Sequence, residues 1–155
     1  MEDLICSFFG HRAVEITKDL YAATAIEIKK AMDFGCRTFY FGGYGDFDDL
    51  CYRIVSKLAE ENPELHIKRV YCVAREEYLR KRVRYFCPED YDGVIYLQPS
   101  FDGWYKSIYF RNCAMIDASN YVIFYAEARE SSGAYKAFRY AKRRKDVFVV
   151  NLFNG

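Results

Sequence analysis

Five apolar runs rich in β-formers, separated by segments of helical periodicity, constrain this chain more than any other feature. The runs are residues 3–9 (DLICSFF), 36–41 (CRTFYF), 66–74 (HIKRVYCVA), 120–126 (NYVIFYA) and 146–153 (DVFVVNLF). Between the first two, Tyr21, Ala25, Ile28 and Met32 fall on one helical stripe over 17–33, with Thr17 as N-cap and Gly35 as stop. Phe47, Leu50, Ile54 and Leu58 mark a second helix that ends near Asn62-Pro63. A short charged helix is predicted over 75–83, a third long helix over 102–118, and a last one carrying Ala134, Ala137, Phe138 and Ala141. Residues 85–100, with Pro88, Gly93 and Pro99, read as a loop holding a brief extended piece at VIYL. Strands that are apolar nearly throughout belong in a parallel sheet covered on both faces. With right-handed crossovers the predicted fold is α/β: a Rossmann-like, doubly wound, mainly parallel five-stranded sheet, order 3-2-1-4-5, in a single domain over 1–155.

Composition narrows the function classes. The 155 residues are 52% hydrophobic, enough for one well-buried core. The formal net charge of +1 gives the chain no global attraction for a polyanion, so nucleic acid is not an expected partner. The basic run KAFRYAKRRK (136–145) reads as a solvated helix face with cations at the dipole-favoured end. The N-terminus, MEDLICSFFG, is acidic where a signal peptide is basic, and no segment approaches membrane-spanning length. The expectation is a soluble, cytoplasmic protein with no membrane contact. The six cysteines form no Cys-x-x-Cys pair and there are only two histidines, so they read as reduced thiols, most of them buried, and neither a metal site nor a cofactor is expected.

The predicted strand order places a topological switch point between the first and fourth strands, where open α/β sheets bind ligands. Three polar turns meet there, each ahead of a helix: Gly10-His11-Arg12, Gly42-Gly43-Tyr44-Gly45 and Ser131-Ser132-Gly133. Glycines let an anion approach the backbone N–H groups of a helix N-terminus. Ser131 and Ser132 supply a cap or hydroxyls for a phosphate, and Arg12 a bidentate partner. Arg111 and Asn112 stand out as polar residues on an otherwise apolar helix. A tight chain reversal alone also accounts for a Gly-Gly-x-Gly turn.

CSFFGHR (6–12), TFYFGGYGDFD (38–48), FRNCAMIDASNYVIFY (110–125), SSGAYKAFRYAKRRK (131–145) and VFVVNLF (147–153) resemble, in order and over nearly the whole chain, a YpsA-like member of the SLOG superfamily. That superfamily groups relatives of the DNA-processing protein Smf/DprA and the Lonely Guy phosphoribohydrolases. The resemblance implies a Rossmann-like fold with a nucleotide-type pocket. Matched motif by motif, it points to Gly10, His11 and Arg12; to Gly42, Gly43, Phe47 and Asp48; to Arg111, Asn112 and Asp117; and to Ser131, Ser132 and Gly133. Two departures are visible. The last turn has Ala134 where the family commonly carries Thr, and has lost one glycine. The Lonely Guy Pro-Gly-Gly-x-Gly-Thr pattern with its following Glu is not kept: Phe41 replaces the Pro, Asp46 the Thr, and Asp48 or Asp49 is the nearest acid.

The function this implies is binding of a nucleotide or nucleotide-derived signal, for sensing or sequestration. Gly42, Gly43, Gly45 and Ser131–Gly133 would face phosphates, Arg12 and Arg111 would pair with charge, Asp48 would hold a ribose hydroxyl, and Tyr44 would stack or line the pocket. The alternative is a nucleotide N-glycosidase or phosphoribohydrolase with Asp48 and Arg111 as catalytic residues. Single-stranded DNA binding is a weaker alternative. The resemblance also implies a homo-oligomer, a dimer or larger.

Overall fold

The computed structural model describes residues 3–42, 45–79, 87–98 and 103–153. All five predicted strands are present: β1 (Leu4–Gly10), β2 (Cys36–Phe41), β3 (Lys68–Cys72), β5 (Tyr121–Tyr125) and β6 (Phe148–Asn151). A sixth, β4 (Gly93–Ile95), is the brief extended piece inside the expected loop. All pairings are parallel and the order is β4-β3-β2-β1-β5-β6. The predicted order of five is therefore kept, and the count is corrected to six by one strand added at the edge.

Alternation along the strands sorts side chains to two faces. Cys6 and Phe8 of β1 and Ile123 of β5 pack with Ile28 of α1 (Lys18–Phe34) and with Leu50 and Ile54 of α2 (Asp46–Glu61). Phe9, Val122 and Phe124 pack on the opposite face, with Met115 and Ile116 of α3 (Trp104–Ala118) and Ala137 and Ala141 of α4 (Gly133–Lys142). The sheet is thus doubly wound. Asn120 fixes its middle: its Oδ1 accepts from Ile5 N–H at 2.9 Å, its N–H donates to Ile5 O at 2.8 Å, and its carbonyl accepts from Phe148 N–H. No helix among the described residues is long and apolar enough to cross a membrane.

Thr17 caps α1 by accepting from Leu20 N–H, and Gly35, at φ 122°, ends it. The predicted stripe is turned by one residue. Leu20, Thr24, Ile28 and Ala31 are buried, Tyr21 is 41% exposed, and Ala25 and Met32 sit half-buried at the margin of the core. A threonine can occupy that inward row because its Oγ1 donates to Leu20 O at 2.7 Å. The predicted helix over 75–83 is a 3-10 turn at Glu76–Leu79, preceded by a bend at Arg75; residues 80–83 lie outside the described residues.

β4 is recruited by a charge pair that hydropathy does not register. Asp92 Oδ2 accepts from the Arg69 backbone N–H at 2.8 Å and from its Nε at 3.2 Å, while Asp92 N–H donates to Arg69 O. Tyr52 and Ser56 of α2 hold the same guanidinium. Replacing Asp92 with Ala is expected to accelerate amide hydrogen exchange at Val73, whose N–H donates to Ile95 O, while β1 and β5 amides keep their protection.

Candidate functional site

The loop leaving β1 is stitched to the start of α2. Asp46 N–H donates to Arg12 O at 2.8 Å, and Asp46 Oδ2 accepts from Val14 N–H at 3.0 Å. Gly45, the residue before α2, has φ 107°, and a Cβ there would lie 2.8 Å from Arg12 Cα. Gly10 is similarly crowded by the Phe47 ring. These two glycines therefore admit the protein's own chain.

His11, on the same loop, is buried and joins it to α4. Glu127 N–H donates to His11 Nε2 at 2.6 Å, so the proton sits on Nδ1 and is given to Ser132 Oγ at 3.1 Å. Ser132 in turn caps α4, accepting from Tyr135 N–H. Burial, and next the Arg129 charge, push the His11 pKa below its ordinary value, against a smaller opposing effect of Glu127.

Arg111 comes from α3, on the far face, and reaches across the ends of two strands. It is 8% exposed. Nη1 donates to Gly42 O at 3.2 Å and to Cys72 O at 3.4 Å; Nε and Nη2 donate to Asn112 Oδ1 at 3.2 and 3.1 Å. Tyr71 is held at the same place. Its hydroxyl pKa is pushed up to about 12, first by burial, with Arg111 acting downward and Asp48 upward.

These elements enclose a cleft of about 820 Å³ at the carboxyl end of β1. Gly10, His11, Arg12, Gly42, Asp48, Arg111, Asn112, Ser131, Ser132 and Gly133 all line it, so ten of the sequence-predicted positions converge. Gly45 stands behind it, packed on Arg12. Asp117 does not join it: exposed on α3, it accepts from Tyr140 Oη at 2.7 Å and pairs with Arg144 at 3.3 Å, tying α3 to α4. Gly43 and Tyr44 lie outside the described residues.

Sequence reasoning missed one wall. Tyr105, Lys106, Tyr109 and Phe110 on α3 line the cleft, as do Arg129 and Lys136. The available signal was the aromatic spacing 105, 109 and 110 beside Lys106 at a helix start, where a core helix carries aliphatic residues. The electrostatics are one-sided. Arg12, Lys106, Arg111, Arg129 and Lys136 stand against Asp48, in a chain whose net charge is +1. Arg129 is offset by Glu127 at 2.7 Å.

No protein-family model matches the chain, and no curated protein matches it in sequence. Solved structures do. DNA processing protein A from Streptococcus pneumoniae superposes with a TM-score of 0.56 at 16% identity, covering 95% of this chain and 50% of that one. DNA processing protein A from Helicobacter pylori, described for its single-stranded DNA binding mode, gives 0.59 at 16% identity, covering 95% and 64%. The chain shares the fold of the part of DNA processing protein A that it covers. This is the Rossmann-like fold that the SLOG resemblance implies, and the chain spans about half to two thirds of those DprA chains.

A histidine held neutral in the fold stabilises it fully above its unfolded pKa. That stability is lost as pH falls below about 6.5 toward the lowered folded value, where the unfolded chain binds the proton first. The melting temperature is expected to drop between pH 7 and 5.5. His11→Gln, which keeps an acceptor and cannot titrate, is expected to flatten that part of the profile.

Proposed function

We propose that the cleft binds a nucleotide or nucleotide-derived anion. The observation that carries this reading is the concentration of cations in a cleft at the topological switch point, beside the N-terminus of α4. Arg12, Lys106 and Lys136 suit phosphates. Tyr105, 87% exposed, together with Tyr109 and Phe110, offers ring faces for a base. Asp48, only 8% exposed and acceptor-only when ionised, suits a ribose hydroxyl. The volume lies within the range of small-molecule sites. Binding is favoured over N-glycosidic cleavage because Arg111, the expected partner of a phosphate or leaving group, is engaged by Gly42 O, Cys72 O and Asn112.

One observation favours a second reading, single-stranded DNA. Lys136 continues outward into Arg139, Lys142, Arg143, Arg144 and Lys145, all exposed, on a fold shared with a DprA described for single-stranded DNA binding.

The test is mass spectrometry of small molecules released by heat from the purified protein, followed by titration with the species found. A bound phosphorylated nucleoside is expected, with Arg12→Ala weakening it about tenfold, the worth of one charge-assisted contact. Free base with separate ribose phosphate would indicate cleavage instead. Tight binding of a dT oligomer with no response to nucleotides would favour the second reading.

A further inference from the structure

We propose that Arg111 is a positioning residue: its guanidinium clamps the carboxyl ends of β2 and β3, and Gly42 lacks a side chain in order to receive it. The sequence pattern treats both as ligand contacts, one supplying charge and the other room for a phosphate. The geometry assigns them to each other. A Cβ on Gly42 would lie 2.9 Å from Arg111 Nη2, 3.0 Å from Cζ and 3.3 Å from Nη1. The guanidinium therefore lies where a Gly42 side chain would go, and although it ends a flexible side chain it can give way only by loosening the hydrogen bonds that hold it.

The donors are committed in the same sense. Two strand-end carbonyls, Gly42 O and Cys72 O, share Nη1, and Asn112 Oδ1 collects Nε and Nη2. The guanidinium meets these three acceptors from three separate nitrogens in one rigid plane; a lysine ammonium carries its donors on a single nitrogen and does not reproduce that spread. The clamp also crosses the sheet. Arg111 starts from α3, on the face packed with α4, and ends on the turn that leads into α2, on the other face. It thereby sets where that turn lies relative to the cleft. Anion recognition then falls to the rim cations Arg12, Lys106 and Lys136.

A double-mutant cycle tests the clamp without any ligand. Gly42→Ala is expected to lower the melting temperature by several degrees, on the order of 5 °C for the loss of one or two buried hydrogen bonds in a chain of this size. In an Arg111→Met background the same substitution is expected to cost less than about 1 °C, because the obstructing group is gone. Additive losses would overturn the proposal. Should Arg111→Met fail to fold, Arg111→Lys serves as the background; the Gly42→Ala cost is again expected to shrink, and an undiminished cost would overturn the clamp.

A second readout separates positioning from contact and rests on the nucleotide reading above. In an NMR titration with ADP, the Arg12 Nε resonance is expected to shift and that of Arg111 to stay in place. A larger shift at Arg111 than at Arg12 would overturn the positioning role. Absence of any response to ADP would count against the nucleotide reading and leave the cycle to decide the clamp.

Discussion

The parallel pairing of β1 with both β2 and β5 is the constraint on which the rest of this molecule depends. A parallel neighbour cannot be reached by a hairpin, so each pairing requires a crossover. The α1 and α2 crossovers run on one face and the α4 crossover on the other, and the chain turns away from itself at the carboxyl end of β1. Because the connections from neighbouring strands leave to opposite faces there, a crevice opens at that end. The loops that start there are tied to one another by hydrogen bonds: Asp46 to Arg12 and Val14, His11 to Glu127 and Ser132, Arg111 to Gly42 and Cys72.

Those bonds change the meaning of the glycines. Read as sequence, Gly42 and Gly45 are places where something comes close to the backbone. Something does, and it is the protein itself: the Arg111 guanidinium at Gly42 and the Arg12 backbone at Gly45. The cleft gains a floor built from the protein's own contacts, which under the proposed binding role would lower the ordering cost. His11 works similarly. Its neutral ring accepts one backbone N–H and donates to the residue that caps α4, so it aligns two loops without carrying charge into the cleft.

Much of the frame was legible because it follows from periodicity. Phe47, Leu50, Ile54 and Leu58 are all buried on α2, and Ser132 caps α4 as its position suggests. What was not legible depends on contacts distant in sequence. β4 is only Gly93–Ile95, too short for a pattern, and is placed by Asp92 gripping Arg69. The phase of α1 turns on Thr24 satisfying its own hydroxyl, which hydropathy scores against burial. Asp117 follows Arg111 and Asn112 on the same helix, yet faces α4, because six residues at 100° each carry it well round the axis. The α3 wall was missed since nothing in the sequence says which side of that helix carries Tyr105, Tyr109 and Phe110 toward the cleft.

The most direct test of the central claim is amide chemical-shift mapping on the isotopically labelled chain, titrated with the nucleotide recovered from it or with ADP. The largest changes are expected at 10–13, at 131–134 and in the first two turns of α3, with the outer face of α4 unmoved. Changes confined to Arg139 and 142–145, or none at saturating nucleotide, would contradict it and leave the cleft as a product of chain reversal alone.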